Sequence, residues 1–225
     1  MKEFKIAKND AGQRLDKFIS KAVPKLPKAL LYKYIRIKRI KLNGKRCEIS
    51  SRLEENDLIE CYISDEFFEK ESKRPEFMLA PSTVDVVYED ENILLINKPA
   101  GLLVHEGNDW CADTLIARLQ HYLYKKKEYD PEKENSFIPA LCNRIDRNTC
   151  GIVIAAKNAA TLRVLNDKIK DRELEKKYLC VVKGIPKRNT GILEHYILKN
   201  EKTNTVEVLS SPAPGAKTAK TKYLQ

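Results

Sequence analysis

The stretch Asn143-Arg144-Ile145-Asp146-Arg147-Asn148-Thr149-Cys150-Gly151 sets one carboxylate between two arginines and runs directly into the apolar segment Ile152-Val153-Ile154-Ala155-Ala156. Opposite charges nearby favour the charged form of a carboxyl group, so the sequence predicts that Asp146 is held ionised by its neighbours. An ionised, positioned aspartate can act as a nucleophile or as a base. These nine residues alone are equally compatible with a surface Arg-Asp-Arg cluster at the entrance to a strand.

The composition is that of a globular protein, because 42% of the 225 residues are hydrophobic and 33% are charged. No apolar run approaches the roughly 18 residues that cross a membrane, and the first residues lack a signal-peptide core. The six cysteines include no C-x-x-C pair, and the three histidines show no zinc or triad spacing. We therefore expect a cytoplasmic protein with free thiols that uses neither metal-dependent hydrolysis nor Ser-His chemistry.

The net charge of +10 is concentrated in one segment. No acidic residue occurs between Asp16 and Glu48, whereas this segment holds eleven lysines and arginines, so the other residues together carry about one net negative charge. A local basic patch predicts a polyanion as the partner. An ordinary solvated face is the alternative interpretation, but such faces usually mix both signs of charge.

Two short helices and a small sheet are predicted around the basic segment. Apolar residues at helical spacing predict helices over residues 14–19 and 29–36, and Asn43-Gly44 is a strong hairpin signal. A further strand is predicted at 58–63. This order resembles the S4 RNA-binding domain over about residues 13 to 63, although Asn56 stands where that family usually has glycine. The resemblance rests on Arg14-Leu15-Asp16-Lys17-Phe18, Lys41-Leu42-Asn43-Gly44-Lys45 and Glu55-Asn56-Asp57-Leu58-Ile59.

The pattern changes after this domain. Residues 64–82 are charged, contain two prolines and show no sustained periodicity, which is typical of a linker. Strand patterns follow from Val84 onward, with helices predicted at 114–124 and 159–170. We therefore predict an α+β protein with an S4-like domain at 1–64, a linker at 65–82 and a second domain at 83–225 that is built on a mainly antiparallel, mixed sheet.

Three motifs of the second domain resemble, in the right order, the RluA/RluC/RluD-type pseudouridine synthases. The first runs from Tyr88 to His105 and includes Asn97-Lys98-Pro99-Ala100-Gly101. The second is the stretch from Asn143 to Gly151. The third is Glu175-Lys176-Lys177-Tyr178 with Val182-Lys183-Gly184, within a strand predicted at 177–184. The resemblance implies isomerisation of uridine in structured RNA, most simply large-subunit ribosomal RNA, by a monomer without cofactor or metal.

The resemblance also assigns roles to residues. It makes Asp146 the catalytic carboxylate, while Arg144 fills the space that a flipped uridine vacates and Tyr178 stacks on the flipped base. For Lys98 two interpretations stay open, a phosphate contact or a strand end at the surface. For Tyr178 the alternative interpretation, if the motif is ignored, is core packing on a strand. The predicted RNA contacts are mostly cations of the basic segment: Lys25, Lys28, Lys33, Arg36, Lys38, Arg39, Lys41, Lys45, Arg46, Lys98 and Arg147.

The chain departs from the family pattern in two ways. Asn143, Ile145 and Cys150 stand where the family usually has histidine, leucine and serine, and an asparagine can form hydrogen bonds but cannot titrate. The sequence also stops at Gln225, before the Gly-Arg-x-His-Gln-x-Arg segment that follows in the family. We therefore expect the 225 residues to be part of a longer synthase.

Two other functions compete with this one. A shortened synthase that binds RNA without catalysis is favoured by Asn143 and by the missing final segment. A nuclease or phosphodiesterase with Asp146 as a metal ligand is weaker, because the sequence offers no convincing second acidic cluster.

Overall fold

The computed structural model describes residues 1–69, 75–107, 110–200, 203 and 205–225. The chain forms two compact units, Met1–Glu175 and Lys176–Gln225. The helices are α1 (Leu15–Ala22), α2 (Lys28–Arg36), α3 (Leu115–Lys125) and α4 (Ala159–Lys170). The strands are β1 (Lys2–Lys5), β2 (Ile40–Leu42), β3 (Leu58–Cys61), β4 (Val86–Glu89), β5 (Ile93–Lys98), β6 (Ala140–Leu141), β7 (Gly151–Ala156), β8 (Thr190–Asn200), β9 (Thr205–Leu209) and β10 (Lys217–Leu224).

The first part of the Met1–Glu175 unit has the predicted S4-like arrangement of two helices on a small sheet. Strand β3 lies between β1 and β2, and both pairings are antiparallel. The apolar stripes of α1 and α2 bury Phe18 and Leu31 against this sheet. The hairpin turn forms as predicted, because Asn43 and Gly44 both adopt positive φ, as a tight two-residue turn requires. The Asn43 side chain also accepts a 2.8 Å hydrogen bond from the Leu58 amide and so ties the turn to β3.

The second part of this unit is a four-stranded antiparallel sheet in the order β4-β5-β7-β6. Leu94 and Ile96 of β5 face the core together with Val153 and Ala155 of β7. Helix α3 covers this core and is capped by Thr114, the residue before it, whose side chain accepts a hydrogen bond from the Ala117 amide. The loop Asn143–Gly151 therefore connects an edge strand, β6, to a central strand, β7.

A polar cluster joins the two parts. Asp10 is fully buried and its carboxylate accepts hydrogen bonds from Ser136 Oγ at 2.6 Å and from Asn135 Nδ2 at 2.8 Å. Asn9 donates to Glu134 at 2.9 Å, and Arg163 of α4 donates to the Ala11 carbonyl at 3.0 Å. These bonds dock the S4-like part directly on the second part, independently of the connecting segment.

The segment predicted to be a linker is anchored at both described ends, while its residues 70–74 lie outside the described residues. Phe67 and Phe68 pack against the S4-like core. Phe77 lies against Tyr124 and Tyr129, with ring centroids 6.0 Å apart in each pair. Each end of the segment thus belongs to the core that it adjoins.

The Lys176–Gln225 unit is an antiparallel sheet in the order β10-β8-β9. The prediction of a strand at 177–184 is wrong, because this segment is irregular and Leu179 and Val181 are fully exposed. Its alternation of apolar residues favours a strand, but a strand must pair with a neighbouring strand, and none of the sheets among the described residues includes this segment. Helices combined with antiparallel sheets confirm the predicted α+β class. None of the helices in the described ranges is long and apolar enough to cross a membrane.

Candidate active site

Lys98 is a buried link between two loops at the end of β5. Its side chain is fully buried, and its ammonium donates to the carbonyls of Pro99 at 2.8 Å, Leu102 at 2.9 Å and Arg147 at 3.0 Å. An ammonium has three protons to donate, so these three carbonyls account for its whole donor capacity. Lys98 therefore fastens the turn after β5 to the loop that carries Asp146.

The predicted RNA contact at Lys98 is wrong, since a buried ammonium with three protein partners cannot reach a phosphate. Burial lowers the pKa of Lys98, while Coulombic interactions with Cys150 and Asp146 act in the opposite direction. Cys150 and Asp146 therefore lie close enough to Lys98 to interact with it electrostatically. A signal for the burial was present in the sequence, because Leu94, Ile96 and Lys98 alternate along β5 and so share its inner face.

Arg147 makes a second connection between the same two loops. The Gly101 amide donates to the Arg147 carbonyl at 2.8 Å, and Arg147 Nε donates back to the Gly101 carbonyl at 3.0 Å. Gly101 has a φ of 89°, which suits a residue without a side chain in this tight turn. Although Arg147 is exposed, part of its guanidinium is thus committed to the protein.

Asp146 lies in the middle of the loop 143–151 and is exposed. Its carbonyl accepts a 3.1 Å hydrogen bond from the Thr149 amide, which closes a turn. Among the described residues Asp146 has no ion-pair partner within 4 Å, so the predicted clamp of two flanking arginines does not form. Lys98, which holds the same loop through the Arg147 carbonyl, interacts with Asp146 electrostatically.

Arg144 is also exposed, and no described residue accepts a hydrogen bond from its guanidinium. Partial burial and, second, the charge of Arg144 lower the pKa of His105. Arg144 therefore lies near this histidine of the first motif. An exposed guanidinium without a protein partner is free to move into a nucleic acid. The structure therefore brings Arg144, Asp146, Lys98 and His105 into one region.

Two surface cavities of the Met1–Glu175 unit lie elsewhere. One, of about 530 Å³, is lined by charged residues that include Glu89, Lys126 and Lys157. The other, of about 290 Å³, includes Phe77 and Trp110. Asp146 lines neither of these two cavities. No group of three or more possible metal ligands occurs among the residues that the structure describes.

Tyr178 belongs to the Lys176–Gln225 unit. It is 62% exposed and stands on the irregular segment that follows Glu175. Its ring is therefore accessible, and the role predicted for it stays a prediction.

The basic segment of the S4-like part exposes a cationic surface. Eight of its nine predicted RNA contacts are exposed and Lys41 is half-buried. Tyrosine rings support the cations at three places, where Lys28 lies over Tyr32, Arg39 over Tyr34 and Lys41 over Tyr62 at 5.1–6.0 Å from the ring centroid. Such contacts restrict long side chains without neutralising their charge. The exposed members are Lys25, Lys28, Lys33, Arg36, Lys38, Arg39, Lys45 and Arg46.

Comparison with known proteins agrees with this architecture. Residues 92–225 match the RNA pseudouridylate synthase family, and residues 13–59 match the S4 domain. The chain therefore belongs to the RNA pseudouridylate synthase family and carries an S4 domain before the synthase part. The resemblance that the sequence motifs indicated is confirmed.

Three curated relatives illustrate the similarity. An uncharacterized RNA pseudouridine synthase of Mycoplasma capricolum is 38% identical over 180 residues, which cover 79% of this chain and 57% of the relative. An uncharacterized RNA pseudouridine synthase of Mycoplasma genitalium is 30% identical over 220 residues, which cover 96% of this chain and 66% of the relative. Ribosomal large subunit pseudouridine synthase C of Salmonella typhi is 29% identical over 199 residues, covering 87% and 58%. The chain thus spans just under two thirds of these relatives at most.

Proposed function

We propose that this protein isomerises uridine to pseudouridine in structured RNA, with large-subunit ribosomal RNA as its substrate and Asp146 as its catalytic residue. Family membership of residues 92–225 supports the reaction, and the name of the Salmonella typhi relative supports the substrate. The observation that carries the proposal is the loop Asn143–Gly151, which presents an exposed carboxylate above a buried lysine.

The reaction exchanges one glycosidic bond for another. The bond between N1 of uracil and C1′ of the ribose breaks, and a bond between C5 and C1′ forms. A proton leaves C5 and another joins N1, so atoms and electrons balance without a further reagent. A carboxylate at the surface can meet the nucleoside only after the uridine has left its stack, which costs about a few kcal/mol.

The other predicted residues fit this chemistry as supporting groups. Arg144 is available to occupy the space left by the flipped uridine, and the exposed ring of Tyr178 offers a flat face for a base. Lys98 and Arg147 hold the loop from beneath, so the position of Asp146 is set before RNA binds. We assign no proton transfer to Lys98, because its three protons are all hydrogen-bonded to carbonyls.

The S4-like part supplies sequence-independent affinity through its cationic surface. We propose the domain limits 1–64 and 83–225, with 65–82 as the connecting segment. We also propose that the protein acts in the cytoplasm, as a monomer.

The test compares Asp146→Asn with Asp171→Asn, a matched change at an exposed residue at the end of α4. The protein is made as its natural gene encodes it, and tritium release is measured from RNA containing [5-³H]uridine. Asp146→Asn should abolish release while RNA affinity stays within about twofold, and Asp171→Asn should behave as the unchanged protein. An active Asp146→Asn protein would refute the assignment.

The same assay separates catalysis from the alternative of RNA binding alone. If the unchanged protein binds ribosomal RNA tightly but never releases tritium from it, the non-catalytic interpretation holds. The substrate class is tested by mapping pseudouridines in large-subunit ribosomal RNA from cells with and without the gene, where loss of at least one site is expected.

A further inference from the structure

The loop that carries Asp146 leaves the sheet at one defined point. Strand β6 pairs with β7 through Ala140 opposite Ala156 and Leu141 opposite Ala155. The next bond of this ladder is still made by the backbone, since the Cys142 amide donates to the Ile154 carbonyl at 2.7 Å. On this edge of β7, the described residues that follow Cys142 in the loop make no further ladder pair, although β7 itself extends back to Gly151 and pairs there with β5 on its other edge.

The side chain of Asn143 takes over where the backbone ladder stops. Its Oδ1 accepts a 2.8 Å hydrogen bond from the Ile154 amide, and its Nδ2 is 3.5 Å from the Ile152 carbonyl. A carboxamide carries the same donor and acceptor as a peptide group, so it can imitate one more residue of the strand. The partly buried Ile154 amide thereby keeps an acceptor that the backbone no longer offers.

The loop is held again on the far side of Asp146. The Arg147 carbonyl accepts from both Lys98 Nζ and the Gly101 amide. Asp146 therefore lies between two anchors, the Asn143 side chain three residues before it and the Arg147 backbone immediately after it. Removing the first anchor frees one end of a short loop and leaves the other end in place.

We infer that Asn143 is a positioning residue of the proposed reaction, fixing where the Asp146 loop leaves the sheet by hydrogen bonding alone. This inference depends on the proposed role of Asp146. It also accounts for an asparagine at a position where the family pattern has histidine. Both side chains can accept the Ile154 hydrogen bond, whereas only histidine titrates, so the shared requirement is the hydrogen bond.

The experiment compares Asn143→Ala and Asn143→His with Asn148→Ala, a matched control in the same loop. Asn148 is exposed and no described residue forms a hydrogen bond with its side chain. Tritium release gives kcat and KM for each protein, and amide hydrogen exchange of Ile154 reports the anchor directly. The exchange measurement does not require activity.

Asn143→Ala should lower kcat by about tenfold to hundredfold, because a misplaced catalytic group costs rate, and it should leave KM within about threefold. Ile154 should exchange faster in this variant while residues of α3 keep their protection. Asn143→His should retain the kcat and the Ile154 protection of the unchanged protein. Asn148→Ala should change neither quantity.

Two results would overturn the inference. One is a kcat of Asn143→Ala within twofold of the unchanged protein; the other is a low kcat with Ile154 protection intact, which would mean that Asn143 acts on the RNA itself. If Asn143→Ala fails to fold, Asn143→His decides alone, since loss of activity in that folded variant contradicts a positioning role. Activity of Asp146→Asn in parallel would refute the proposed function, whatever Asn143 does.

Discussion

Replacing Lys98 by methionine isolates the contribution of the buried ammonium, because methionine has a similar length and no donors. The Pro99 and Leu102 carbonyls lose their Lys98 donor, whereas the Arg147 carbonyl keeps the Gly101 amide. An unsatisfied buried acceptor costs about 1–3 kcal/mol. The Leu102 carbonyl is buried and meets this condition, whereas Pro99 is exposed and water can replace the donor that its carbonyl loses. The desolvation cost of the removed ammonium offsets part of the penalty, so we expect a net loss of about 1–2 kcal/mol in the free energy of unfolding.

Urea unfolding followed by circular dichroism measures this change, with tritium release recorded on the same preparations. A loss of this size corresponds to a fall in Tm of about 2–8 °C for a chain of this length. Lys133→Met is the control, since Lys133 is 84% exposed and should change the free energy of unfolding by less than about 0.5 kcal/mol. A Lys98→Met protein as stable as the Lys133→Met protein would show that the ammonium does not hold the two loops together.

Three further predictions concern other parts of the chain. Burial raises the pKa of Glu89, but hydrogen bonds from Lys126, Lys157 and Tyr122 outweigh it and bring this pKa down to about 2. A lowered carboxyl pKa gives stability that is present above the unfolded-state value and lost as pH falls through the folded-state value. Unfolding free energy should therefore decline between about pH 4.5 and pH 2, and Glu89→Gln should flatten that decline; an unchanged slope would contradict the network. Asp10→Ala removes the carboxylate that accepts hydrogen bonds from Asn135 and Ser136, and it should lower the free energy of unfolding by about 2–4 kcal/mol. A loss below about 0.5 kcal/mol in urea unfolding would show that these bonds do not stabilise the fold. Charge reversal of Lys33 and Arg36 to glutamate should weaken RNA binding and reduce its dependence on salt, and equal salt slopes in a filter-binding titration would exclude this surface as the RNA contact.

Local patterns predicted most of the S4-like part. The helical spacing of Leu15, Phe18 and Ile19 depends only on which residues share one helix face, and the structure buries all three. The Asn43-Gly44 turn is equally local, because its positive φ values suit these two residue types. Such features need no knowledge of distant contacts, so the sequence alone is sufficient for them.

Features that depend on distant partners could not be predicted in the same way. The burial of Lys98 requires three carbonyls, one of them 49 residues away in the Arg147 loop. The segment 177–184 has the apolar pattern of a strand, yet pairing depends on a neighbour that its own residues do not specify. The docking of Asp10 on Ser136 spans 126 residues and involves only polar groups, so hydrophobic periodicity gives no sign of it.

Asp146 illustrates both situations. Its motif was recognisable from nine consecutive residues, but the expectation that flanking arginines hold its carboxylate was wrong. Side chains of neighbouring residues in a loop point in different directions, and Arg147 uses its Nε for the Gly101 carbonyl instead. The support for the loop comes from β5 and β7, through Lys98 and through the Ile154 amide that binds Asn143.

The central claim is that the carboxylate of Asp146 performs the isomerisation. It is tested most directly by mapping pseudouridines in the large-subunit ribosomal RNA of cells whose sole copy of the gene encodes Asp146→Asn. Cells with this variant should lack the same pseudouridines as cells in which the gene is deleted, while the variant protein is present at normal abundance. Retention of those pseudouridines with the Asp146→Asn protein as the only copy would contradict the central claim.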